Sequence, residues 1–324
     1  MGNIKSNTAA EAWLAISMII VLILGISKRS LAQGSTQSST APPAGQQTQP
    51  GPSLENKPPQ GNKESPSSAQ TQVSPQEAQA YTVIQKETDP DKQLQLVKDF
   101  QQKFPQSKLL SNVLFFGAGA AEQKNDVPGA LNYGEQSLKL QPDNLRSLIL
   151  VAGLLPLPQA LTGSTTQKEQ QLGQSETDAN RALQLLSGVQ PPPNVTPAQF
   201  DNGKKAIEAQ LHASLGMAHL EKAVLAPSPK GPDPNELSAA EQEFKTAVTG
   251  PQPNPQDYYR LGEVYARENK LDDSISAFSQ AAHLGQGTRM EELANHMVSQ
   301  LQAQKAKSQP PAKNAQPQPP SNQE

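Results

Sequence analysis

Across Asn254–Gly287 the sequence NPQDYYRLGEVYARENKLDDSISAFSQAAHLGQG alternates large and small residues at spacings of three, four and seven. Spacings of that kind put the residues on one face of each of two helices, here joined by a polar turn. Gly262 and Ser274 lie twelve apart and face each other across the turn. The gap they leave is filled by Tyr265 and Phe278. A hairpin with this face must bury it against neighbours, which makes the rest of the chain a search for further copies.

The same offsets recur. Leu110–Asn144 carries Leu114, Gly117, Ala118, Ala121, Ala130, Leu131, Ser137 and Leu138, again with twelve residues between Ala118 and Ala130. Ser74–Ser107 holds Tyr81, Leu94, Val97, Phe100 and Pro105 at related positions. Two further copies read as stretched. In Leu145–Gly188 the first helix shows Leu148, Val151, Ala152 and Leu155, and the second shows Ala179, Ala182, Leu183 and Leu185. In Phe200–Gln252, Leu215 and Gly216 mark the first helix, and Ala240, Phe244 and Ala247 the second. Here Gly216 and Ala240 are 24 apart, which places about a dozen inserted residues in the turn between helices. Thr288–Lys307 sets Met290, Leu293, Ala294, Met297 and Leu301 on one face, as an end helix that covers the last apolar surface.

Helix starts are well punctuated. Ser74, Asp89, Thr196, Asp233 and Asn254 each precede a proline, a capping side chain followed by the residue best suited to the first turn. Glu77, Gln199 and Glu236 would complete three capping boxes.

This pattern resembles the tetratricopeptide repeat, a helix-turn-helix unit of about 34 residues. The resemblance implies an all-α chain over residues 74–307. It would be a right-handed α-solenoid of about five hairpins plus a C-terminal capping helix. It also implies a concave groove lined by the first helix of each unit, taking an extended peptide or a partner helix. By register, that groove would present Asn112, Phe115, Arg146, Ile149, Met217, Tyr259, Glu263 and Arg267. One chaperone subfamily captures a carboxyl-terminal peptide with Lys and Asn at defined groove positions. Tyr259 and Glu263 stand there in the best repeat, so that ligand does not fit.

The ends of the chain have a different character. Residues 1–32 contain the uncharged apolar run Trp13–Ile26, then Ser30-Leu31-Ala32-Gln33. The small residues suit cleavage before Gln33 as a signal peptide, whereas Lys28 and Arg29 suit the flank of an uncleaved membrane anchor. Both readings place the protein at the cell envelope. Met1-Gly2 with Ser6 also matches a myristoylation pattern, but the apolar run explains this terminus better. Residues 33–73 and 308–324, rich in Gln, Ser and Pro, cannot bury enough apolar surface to offset ordering and are expected to be disordered. The first of these would be a tether reaching roughly 30–40 Å.

Composition narrows the chemistry. The net charge of -3, with no basic stripe, disfavours nucleic acid, and the absence of cysteine removes thiolate chemistry and disulfides. Gly117-Ala118-Gly119 follows an apolar run, but Glu122 takes the third small position of a dinucleotide site and no strand–helix alternation follows. His212 and His219 are seven apart on one helix; in register His219 takes the slot of Tyr265, so it is expected as a packed core residue rather than a metal ligand. No catalytic, metal or cofactor-binding residues are expected, and no small-molecule substrate. The sequence points to a non-enzymatic scaffold binding one or more protein partners, associated with the membrane if the N-terminal segment is uncleaved. A periplasmic assembly chaperone or secretion factor holding unfolded clients stands as the alternative.

Overall fold

The computed structural model describes residues 73–193, 195–225 and 231–308. The N-terminal segment, nearly all of the expected linker, the tail after Ser308 and residues 226–230 of the second insertion lie outside the described residues. Among the described residues there are eleven helices and no strand. They are α1 Pro75–Lys86, α2 Pro90–Lys103, α3 Leu110–Gln123, α4 Val127–Leu140, α5 Leu145–Leu154 and α6 Thr165–Ser187. Then follow α7 Pro197–Leu225, α8 Pro234–Ala247, α9 Pro255–Arg267, α10 Leu271–Leu284 and α11 Arg289–Ser308. None of these helices is long and apolar enough to cross a membrane.

Successive helices pack pairwise into five hairpins, and α11 closes the stack against α10. First helices also touch across units, α1 with α3, α5 with α7 and α7 with α9. A layer whose members touch one unit apart is the inner layer of a curved stack, so the first helices line the concave side. The architecture is an α-solenoid.

Two hairpins close on a glycine under a phenylalanine ring. A Cβ added to Gly262 would lie 3.0 Å from the Phe278 ring, and one added to Gly216 would lie 2.9 Å from the Phe244 ring. Both rings are fully buried. Ser274 Oγ donates to the Gly262 carbonyl at 2.7 Å, fixing the two helices at the height where the ring fits. Between units, a buried hydroxyl network ties α3, α4 and α5. Ser137 Oγ donates to the Ser111 carbonyl at 2.8 Å, its oxygen lies 2.7 Å from Ser147 Oγ, and Asn144 Nδ2 donates to Ser111 Oγ at 2.9 Å. Every member is satisfied, so the network specifies register without an unpaired buried group.

The stretched units depart from the expected insertions. Most of the extra chain is helix. Ser175 Oγ donates to the Ala152 carbonyl at 2.8 Å, the role Ser274 plays in the last unit. Yet α6 begins at Thr165, ten residues ahead of Ser175, where α10 begins three ahead of Ser274. Its start is set by a capping box formed by Ser164 and Gln167. Residues 155–163 form an ordered turn that buries Leu155 and Ala160 beside α3 and α4. In the next unit α7 is 29 residues long; it starts 19 residues ahead of Gly216, where α9 starts seven ahead of Gly262. The added turns carry Phe200 and Ile207 onto Ile149, Ala182 and Leu186, a core that a regular repeat would not contain.

Capping follows the sequence at most starts. The boxes at Ser74/Glu77 and Thr196/Gln199 form. The box at Asp233 does not: Asp233 accepts from Asn235 N–H, while Glu236 turns its carboxylate to His219, 2.7 Å away. At the end of the stack Ala294 and Leu301 are buried, but Leu293, expected on the covered face, is 40% exposed.

Candidate functional site

The inner face divides into two stretches. In the first, α1, α3 and α5 bring Tyr81, Phe115, Phe116 and Arg146 together. The Tyr81 and Phe116 rings meet edge-on at 5.8 Å, Phe116 lies 5.8 Å from Phe115, and the Arg146 guanidinium sits 5.9 Å from the Phe115 centroid. The Arg146 side chain also acts on the Tyr81 phenol. Burial pushes the Arg146 guanidinium down from its ordinary range, offset in part by Tyr81, and pushes the Tyr81 phenol up. Asn112 Oδ1 accepts weakly from Asn144 Nδ2 at 3.4 Å.

Seven residues beyond Phe115 on the same face of α3 stands Glu122, whose carboxyl burial raises to about 7. Between them Gly119 opens onto space: a Cβ built there meets nothing within 4 Å. The stretch therefore combines aromatic rings, a desolvated cation and a carboxyl that accepts a proton near neutrality.

The second stretch, on α7 and α9, carries Met217, Tyr259, Glu263 and Arg267. Met217 is half-buried on the core beneath it. Tyr259 stacks edge-on against Phe278 at 4.9 Å, and burial pushes its phenol up. Arg260 pairs with Glu263 at 2.7 Å, and Arg267 Nη1 donates to the Glu263 carbonyl at 3.3 Å. Glu221 faces the same space. Burial raises its carboxyl, and Arg260, Glu263, Arg267 and Lys168 all act on it. Asp257, in the first turn of α9, is raised by burial to about 7.

Seven of the eight expected groove residues retain exposure, and the structure groups them three and four. Ile149 is a correction: it is only 1% exposed and belongs to the core formed with Phe200, Ile207 and Leu211. The cause is the extension of α7, which covers the face of α5 that a regular unit leaves open. Tyr81, Phe116, Glu122 and Glu221 also belong to the inner face, at positions that the repeat register does not point to. For Glu122 the signal was present, since it shares the helical face of Phe115 at a spacing of seven. Tyr81 gave none, because its partner Arg146 comes from a helix two units away.

His219 also departs from expectation. It does not pack as Tyr265 does, but meets the carboxylates of Glu176 and Glu236. Seven residues earlier, His212 Nδ1 lies 2.6 Å from Glu243 Oε2.

No protein-family model matches the sequence, and no curated protein matches it. Among solved structures it is similar to a thermophilic TPR protein from Thermus thermophilus, at 16% identity and a TM-score of 0.44, over 69% of this chain and 96% of that one. It is also similar to an assembly chaperone of RpL4, at 12% identity and a TM-score of 0.45, over 72% of this chain and 90% of that one. A tetratricopeptide repeat protein from Parabacteroides merdae gives 12% identity and a TM-score of 0.25, over 69% and 96%. The hairpin contacts, and not these scores, carry the fold: small residue under aromatic ring, serine onto facing carbonyl, first helices touching on the inside. By that geometry the chain is a solenoid of tetratricopeptide-like helical hairpins.

Proposed function

We propose that the protein is a non-enzymatic scaffold at the cell envelope that binds a protein partner, as an extended peptide or a helix, along its concave face. The observation that carries this reading is the cluster of Tyr81, Phe115, Phe116 and Arg146 on the inner face, with Gly119 and Glu122 continuing the helical face of Phe115. A surface already held by packed helices binds without ordering any loop, which keeps the cost of binding low. Partly desolvated aromatic and arginine side chains are the groups that dominate binding energy at protein interfaces. The envelope address rests on the apolar run Trp13–Ile26 alone.

Site-specific photo-crosslinking in the native host tests the binding face. A photo-activatable side chain at Asn112 or Arg267, on the inner face, is expected to trap one and the same partner. The same group at exposed Gln184 on α6 is expected to trap none. Crosslinks from Gln184 only would contradict the proposal, and capture of many unrelated proteins from all three positions would favour the chaperone reading. For the address, removal of residues 1–32 should release the protein from the envelope fraction; unchanged fractionation would refute that part.

A further inference from the structure

Glu176 of α6, His219 of α7 and Glu236 of α8 reach one point from three helices. His219 Nδ1 lies 2.7 Å from Glu236 Oε2 and 3.5 Å from Glu176 Oε1, and all three donor atoms fall within 4.8 Å of one another. A tetrahedral zinc ion with bonds of about 2.1 Å needs donor atoms about 3.4 Å apart. The observed separations bracket that value. We propose that these three side chains form a binding site for one zinc ion, with a water in the fourth position.

One further detail supports the assignment. Glu236 has given up its place in a capping box to reach the cluster. Lys222 is the competing cation: its Nζ lies 2.6 Å from Glu176 Oε1. One ammonium cannot balance two carboxylates, whereas a divalent ion does. The Lys222 side chain is 22% exposed, and its flexible stem gives the ammonium a path to water once the ion enters. On zinc binding the His219 proton moves from Nδ1 to Nε2, leaving Nδ1 free to ligate. The ion would pin the two stretched units to each other, joining α6 to both helices of the following hairpin.

The test is titration of the chelator-treated full chain with zinc chloride, by calorimetry and by thermal melting. One ion per chain is expected, with a rise in melting temperature as zinc is added. His219→Asn and Glu236→Gln should each weaken binding about tenfold or more. Lys222→Ala should tighten it about tenfold by removing the competing charge. A variant lacking His283 and His296 should bind as the parent does. Absence of binding to the parent chain would overturn the proposal. So would binding that survives both His219→Asn and Glu236→Gln, with the fold of each variant confirmed by circular dichroism.

Discussion

The hairpins α9–α10 and α7–α8 hold the same contact across very different lengths of chain. Gly262 and Phe278 are 16 residues apart, and Gly216 and Phe244 are 28 apart. Yet the glycine lies equally close beneath the ring in both, 3.0 and 2.9 Å from an added Cβ. The twelve extra residues are absorbed by one added turn at the end of α7, nearly one at the start of α8, and a longer link. The frame is therefore set by the small-under-large contact and not by the length of the turn. Loop closure costs little for each added residue, whereas an unfilled hole under a ring is expensive.

The largest effect expected from this comparison is on the two rings. Phe278→Ala and Phe244→Ala should each destabilise the protein by about 3–5 kcal/mol, measured by denaturant unfolding. Equal losses would show that the stretched hairpin is built on the same frame. A loss at Phe244 less than half that at Phe278 would break the comparison.

The inner carboxyl Glu122 gives the next effect, with a definite sign. Its carboxyl is raised from the ordinary 4.5 to about 7 by burial, so the folded state holds the proton more tightly than the unfolded state. Stability is therefore highest below about pH 4.5 for this group and falls as pH rises through about 7. Glu122→Gln should remove that slope and raise stability at pH 8 by about 1–3 kcal/mol. An unchanged slope between pH 5 and 8 would show that Glu122 is solvated.

The two serine clasps are smaller. Ser274→Ala and Ser175→Ala each remove the hydroxyl that bonds a carbonyl of the facing helix, and about 1–2 kcal/mol should be lost in either case. Similar losses would confirm that Ser175 sets the register of the third unit. Smallest of all, deletion of residues 226–230 should change stability by no more than about 0.6 kcal/mol. A larger change would mean that the link contributes contacts of its own.

The regular units were legible in sequence because their signals are local. Alternation at three and four, a capping residue before proline and a twelve-residue gap lie within one hairpin. The stretched units were legible only in part. Gly216, Ala240 and Phe244 could be aligned, and Thr196, Pro197 and Gln199 mark the start of α7, but nothing local shows that its first three turns pack on α5. Ser164 and Gln167 did carry a capping signal, inside a stretch that reads as inserted turn. Ile149 was misplaced for the same reason, since its cover comes from that added length of α7. Phe115 and Arg146 followed from register. The electrostatics of Glu122, Glu221 and Arg146 did not, because burial there is supplied by neighbouring units and has no trace in the local sequence.

Whether the inner face is the binding face can be measured directly, because two glycines allow a matched substitution. Gly119 on inner α3 and Gly173 on α6 both face open space, with nothing within 4 Å of an added Cβ. Affinity for the partner trapped by crosslinking, measured by fluorescence anisotropy for the Gly119→Trp and Gly173→Trp proteins, compares the same substitution on the two faces. Loss of binding in Gly119→Trp with parental binding in Gly173→Trp is the predicted result; parental binding in Gly119→Trp would contradict it.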